Sequence, residues 1–214
     1  MRRAVVTKLA PVQPAASAFA PLSVQKQAPG FDIFVSTPMS AYASDEVAYK
    51  YNRDMLLGLF RDLKERSGFS SFFCPAVLCN DLASFDGEQD ALAQDFHALE
   101  QSSAFLLYYL PPLPEKPSSV FVEAGMALNA RMPSIYIVRS RADLPYMLRG
   151  ADRFLVDGFT SPRALAPRRA VPGHPPRESI VKIVELAEGE TPDAAEIGRW
   201  LDQRIERRAR AGYC

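Results

Sequence analysis

Three cysteines in 214 residues, Cys74, Cys79 and Cys214, make neither an even framework nor a paired CxxC motif. That argues against a disulfide scaffold and against a thiolate metal site. Such sparse thiols suit a reducing compartment, so a cytoplasmic location is expected and the cysteines read as structural or incidental. Charge of one sign is also missing, since 25 Lys and Arg balance 25 Asp and Glu. The electrostatic footprint of a nucleic-acid binder is therefore absent. No apolar run reaches the ~18 residues that a membrane helix requires. The opening MRRAVVTKLAPVQPAASAFAPLS carries two arginines, but Pro11 and Pro14 interrupt any apolar h-region, which argues against a signal peptide. The expected partner is a small molecule or another protein chain, with no nucleic acid, no membrane, no metal and no cofactor.

What is present reads as one α/β core. A chain of this length holds one sizeable core more readily than two. Residues 1–29 are rich in Pro and Ala and are expected to form a disordered leader. Order is expected from FDIFVSTPMSAY, where Ile33, Phe34 and Val35 sit between Pro29-Gly30 and Ser36-Thr37-Pro38, the pattern of a parallel strand buried on both faces. A helix follows in SDEVAYKYNRDMLLGLFRDLKERSG, with Ser44 as N-cap, an apolar stripe at Val47, Tyr51, Met55, Leu59 and Leu63, and Gly68 as its stop. A second strand near residues 71–73 leads to a helix in DGEQDALAQDFHALEQSS whose inner face is Leu92, Phe96 and Leu99. The third strand is AFLLYYL, the next helix VFVEAGMALNA, and the fourth strand SIYIV at 134–138. This alternation predicts an α/β fold, a flavodoxin-like (Rossmann-like) doubly wound sheet, mainly parallel, with helices on both faces.

The domain is expected to cover 30–160, with FLVDGF as a last short strand. Residues 161–177 read as a Pro/Arg-rich linker or arm. Two helices, about 178–188 and 192–210, are expected after it, packed on the domain or at an oligomer interface.

Within VFVEAGMAL, residues 120–128, Glu123 is a lone carboxylate among apolar side chains. Burying it costs free energy unless it is paired or used. In an open α/β sheet, ligands bind beyond the carboxyl ends of the strands, and a Glu in the first turns of a helix there faces that edge. The helix macrodipole is expected to help keep it ionised, and Gly125 to allow a backbone or ligand close approach. Ser36, Thr37, Pro38 and Met39, the loop after the first strand, point to the same edge. They are candidate substrate contacts, although polar residues of this kind occur in any βα turn.

The run SSVFVEAGMALNARMPSIYIV, residues 118–138, followed by LPYMLRGAD, residues 144–152, resembles the nucleoside 2-deoxyribosyltransferase superfamily, which includes nucleoside 5′-monophosphate N-glycosidases. QDFHALEQSSAFLLYYL is similar to that family's Asp-bearing helix and the strand after it, and DIFVSTPM more loosely to its first strand. The resemblance runs from the first strand to Asp152. It implies cleavage of an N-glycosidic bond, as hydrolase or base-exchange transferase, with Glu123 as nucleophile at the anomeric carbon. A carboxylate suits that role because it also stabilises the oxocarbenium-like charge. Asp95 is implied as a proton relay to the leaving base. Ser118 and Ser119 would contact phosphate or sugar hydroxyls, Met147 would lie in the segment closing over the site, and Arg149 would fork onto a phosphate. A homo-oligomer is implied as well.

Departures accompany the matches. The family's first-strand Tyr falls at Ile33, with Phe34 beside it. Pro117 stands where an Asp usually precedes the Ser-Gly loop, and Ser119 replaces its Gly. FDIFVS is also similar to the opening strand of Toll/interleukin-receptor-like domains that cleave NAD, which makes an NAD glycohydrolase the alternative enzyme. A non-catalytic nucleotide-sensing module is the third reading. The bland readings are a Glu123 satisfied by helix amides, a solvated Asp95, a surface His97, and Tyr108 and Tyr109 as core.

Overall fold

The computed structural model describes residues 30–42, 45–78, 88–110, 119–153 and 179–210. Five parallel strands form one sheet in the order β2-β1-β3-β4-β5: β1 Phe31–Ser36, β2 Phe72–Phe73, β3 Ser102–Tyr109, β4 Ser134–Val138 and β5 Val181–Glu185. The helices are α1 Glu46–Ser67, α2 Pro75–Leu78, α3 Glu88–Glu100, α4 Ser119–Asn129 and α5 Ala194–Arg210. This is the doubly wound, flavodoxin-like arrangement expected from the alternation of strand and helix.

Chain direction explains the two layers of helix. Strands β2 and β3 flank β1 on opposite sides, and right-handed crossovers to opposite sides place their helices on opposite faces. One face packs Ile33, Val35, Leu106 and Ile137 against Leu56, Leu59 and Leu63 of α1 and Ile197 and Leu201 of α5. The other packs Phe34, Phe105, Leu107 and Tyr136 against Leu99 of α3 and Val120, Ala124 and Ala127 of α4. Residues Ala104 to Tyr109 of β3 are therefore all buried, as a central parallel strand requires.

Several local expectations need correction. The N-cap of α1 is Asp45, whose Oδ1 accepts from Ala48 N at 2.9 Å, rather than Ser44, which lies outside the described residues. Its buried stripe is Tyr49, Asn52, Leu56, Leu59, Phe60 and Leu63, while Val47 and Tyr51 are exposed. A 47-51-55 stripe drifts around a 3.6-residue helix, and the sheet selects the adjoining face. Gly68 does end the helix, in the left-handed region at φ 75°, where glycine meets no Cβ penalty. Among the described side chains of α3, Ala98 and Leu99 are buried, and Leu92 is 57% exposed and Phe96 37%.

The largest correction concerns the C-terminal segment. The expected helix at 178–188 is instead strand β5, paired in parallel with β4 from Ser134↔Val181 to Val138↔Glu185. Helix α5 then crosses back over α1, so this segment completes the same sheet and core rather than forming a pair of helices added to it. FLVDGF lies outside the described residues. Where α5 meets the end of α1, an added Cβ on Gly198 would stand 2.0 Å from Ser67 Cβ, so the two helices touch through a missing side chain. Among the described residues no helix is long and apolar enough to cross a membrane.

Candidate active site at the strand switch point

Strand β1 sends its chain to α1 on one face, and its neighbour β3 sends its chain to α4 on the other. The crevice between their carboxyl ends is where the 2-1-3-4-5 order reverses, the usual ligand position in such sheets. Ser36, the last residue of β1, pairs in register with Leu107 and shares the α3/α4 face with Phe34. The chain then turns through Thr37-Pro38 into a 3-10 turn, Met39–Tyr42.

Helix α4 holds Glu123 at this crevice. Val120, Ala124 and Ala127 are buried against the sheet, and Phe121 meets the Tyr109 ring edge-on at 5.2 Å. These contacts fix the helix rotation, and Glu123, next to Ala124, is left half-buried. Burial pushes its carboxyl up to about 7; the nearby negative charge of Asp95 adds to the rise, and the Ser36 hydroxyl offsets part of it. Asp95, half-buried on α3, is raised to about 6 by burial. Two carboxyls from different helices therefore lie near enough for the charge of Asp95 to act on Glu123, and both are raised toward neutral pH.

That outcome overturns one expectation. Glu123 is the fifth residue of α4, beyond the first turn, where the macrodipole fades. Loss of hydration outweighs whatever the helix end supplies, so the group is not held ionised. Asp95 is likewise half-buried, with its pKa raised by burial.

A third group feels their charge from the α1 side of the sheet. Cys74 follows β2 at the same sheet edge and is buried, and its thiol is pushed up to about 12, chiefly by burial, with the charges of Glu123 and Asp95 adding. A residue ending a strand at its carboxyl edge was the available signal for it, and its lack of a cysteine partner concealed it. Asn52 was also missed. It donates from Nδ2 to Thr37 Oγ1 at 3.1 Å with both residues buried, and so braces the loop after β1 from the α1 side.

The remaining candidates divide. Pro38 is buried, and Met39 packs partly against the α1 face of the core. Ser119 is exposed at the start of α4, one turn before Glu123; Ser118 lies outside the described residues. Gly125 is exposed and a Cβ there would meet nothing within 4 Å, so no neighbouring backbone needs it. Met147 is 87% exposed. The Arg149 fork is engaged by its own segment, Nε donating to Leu144 O and Nη2 to Ala142 O, each at 2.8 Å. No interaction among the described residues ties Met147 or Arg149 to the Glu123 carboxyl. His97 is exposed and paired with Gln101 at 2.9 Å, and Tyr108 and Tyr109 are core residues.

Among the described residues no group of three or more His, Cys, Asp or Glu is arranged to hold a metal ion. The fold and crevice define a flavodoxin-like α/β protein with an acid pair at its switch point. Compared with known families and curated proteins, the chain matches no family model and no curated relative.

Proposed function

We propose that this protein cleaves the N-glycosidic bond of a nucleoside or nucleoside 5′-monophosphate. The observation that carries the reading is the convergence of Glu123 and Asp95, both raised toward neutral pH by burial, beside Ser36 at the switch point. Paired carboxyls whose environments separate their roles are the usual machinery for breaking a glycosidic bond.

In this reading the ionised Glu123 attacks C1′. The C1′–N bond breaks, its electron pair goes to the base, and protonated Asp95 gives the base its proton. A covalent glycosyl ester on Glu123 results. Water then attacks C1′, its proton passes to the Asp95 carboxylate, and Glu123 leaves as carboxylate; a second base in place of water gives the transferase outcome. Positive charge developing on the sugar favours the ionised form of Glu123 at the moment it is needed. At rest burial favours the reverse order, a neutral Glu123 with an ionised Asp95, so in this reading substrate binding moves the proton from Glu123 to Asp95 before the C1′–N bond breaks.

The test is chromatographic detection of free base after incubation with nucleosides, their 5′-monophosphates and NAD. Release by the wild type and none by Glu123→Gln is the expected result. Nicotinamide from NAD alone would move the assignment to an NAD glycohydrolase. Ligand binding with no base released from any substrate would refute catalysis and leave a nucleotide-sensing module. The homo-oligomer implied by the family resemblance belongs to this proposal and is read by light scattering.

A further inference from the structure

The Ser36 side chain is an anomaly that the carboxyl pair does not explain. Ser36 is 1% exposed, and its Oγ has no hydrogen-bond partner among the described residues. A buried hydroxyl left without a partner is costly. It lies close enough to Glu123 for its dipole to hold that carboxyl's pKa down, yet the pair falls outside hydrogen-bonding geometry. Its position is secured from below by the β1–β3 register, Ser36↔Leu107. The neighbouring Thr37 side chain is directed to the α1 side, where its Oγ1 accepts from Asn52 Nδ2. An unpartnered polar atom thus sits at the base of the crevice, beside the carboxyl proposed to bond C1′.

The chemistry around C1′ leaves few groups for that atom to meet. A carboxylate bonding C1′ has the base nitrogen, the ring oxygen O4′ and the C2′ substituent around it. The base nitrogen is served by Asp95. O4′ becomes electron-poor as the oxocarbenium forms and is then a poor acceptor. The C2′ substituent remains, and in glycoside cleavage a hydrogen bond to that hydroxyl strengthens in the transition state. A serine hydroxyl carries one donor and two acceptor lone pairs, so it can accept from a 2′-OH while turning its own O–H toward Glu123.

We propose, resting on the N-glycosidase reading above, that Ser36 is the specificity residue for the sugar and that the site takes ribosyl rather than 2′-deoxyribosyl substrates. The 2′-OH completes the hydrogen bonding of Ser36, and a 2′-deoxy substrate leaves that hydroxyl buried and unmet. A site arranged to bond a substrate hydroxyl discriminates against the analogue that lacks it.

The experiment compares kcat/KM for matched ribo and 2′-deoxyribo substrates, a nucleoside pair and a 5′-monophosphate pair, in wild type and Ser36→Ala. Wild type is expected to prefer the ribo member by on the order of tenfold or more. In Ser36→Ala that ratio should collapse toward unity, chiefly through loss on the ribo substrate. Should circular dichroism show Ser36→Ala unfolded, Ser36→Cys keeps the shape with a weaker hydrogen-bonding group and should give an intermediate ratio. A wild-type preference for the deoxy member overturns the proposal, as does a Ser36→Ala ratio equal to that of wild type. Base release from neither member by wild type would refute the N-glycosidase reading itself, and the sugar assignment with it. Base release with the ratio unmoved would refute the sugar assignment alone.

Discussion

Replacing Glu123 by Gln should make the protein more stable, and only above a definite pH. The folded carboxyl is raised from 4.5 to about 7, mainly by burial. Between those values the folded state holds a proton that the unfolded chain has released, so stability falls as pH rises and levels off above 7. At about 1.4 kcal/mol per pH unit, the ionised carboxylate costs the fold roughly 3 kcal/mol at pH 8. Gln is a permanent stand-in for the neutral acid: it has a similar shape and no charge to desolvate. Wild type and Glu123→Gln should therefore unfold together near pH 4.5 and diverge as pH rises. For a domain of this size the difference at pH 8 corresponds to a Tm gap of roughly 6–12 °C in favour of the variant. Thermal unfolding followed by circular dichroism at pH 4.5, 6 and 8 reads it directly. A variant less stable than wild type at pH 8, or a gap that does not change with pH, would show that helix amides satisfy the carboxylate. The argument from burial would then be wrong. The expected result is the usual exchange between stability and activity at a working site, since the same variant should release no base.

Three further outcomes are expected. The kcat/KM profile for a nucleoside should be bell-shaped, rising through the lower and falling through the upper of two apparent pKa values near 6 and 7 that belong to the pair; for NAD, whose nicotinamide leaves without a proton, the alkaline limb should vanish, and a profile flat from pH 5 to 9 for both would remove the pair from the chemistry. Gly198→Ala should lose about 2 kcal/mol in a denaturant titration, because the new methyl overlaps Ser67 and overpacking outweighs the better helix propensity of Ala; Ser67→Gly in the same chain should recover part of it, and a stable single variant would refute the close crossing. Tyr136→Phe should be neutral to stabilising by roughly 1 kcal/mol, since the Tyr136 hydroxyl is buried without a partner; a loss above about 1 kcal/mol would mean that the hydroxyl is satisfied.

The sequence made the sheet legible where composition left no choice. Ile33–Val35 and SIYIV are short apolar runs bounded by turn residues, and both are strands. It misled where a short run satisfies two periods at once. In VKIVE, Val181 and Ile183 face one side of the sheet and Val184 the other, yet the same residues also carry a helical spacing, and only pairing with β4 decides between them. The carboxyl pair was half legible. Glu123 stood out as a charge in an apolar run, but its pKa depends on Asp95, 28 positions earlier, and on burial that no local window contains. The 3-10 segment after β4 shows the opposite limit, because Arg149 looks like a phosphate ligand until its bonds to Ala142 and Leu144 are seen.

The crossing of α5 over α1 has a consequence for how the chain is made. Helix α1 leaves the ribosome well before α5, which covers it, and the inner residues of α1 share a core with Ile197 and Leu201. Strand β4, buried along its whole length, has no partner on its outer edge until β5 is synthesised more than 40 residues later. Through that interval the growing chain carries an unpaired sheet edge and an uncovered helix face. A product truncated at residue 160 would keep both permanently, so the part of the chain richest in candidate chemistry depends for its shelter on the segment furthest from it.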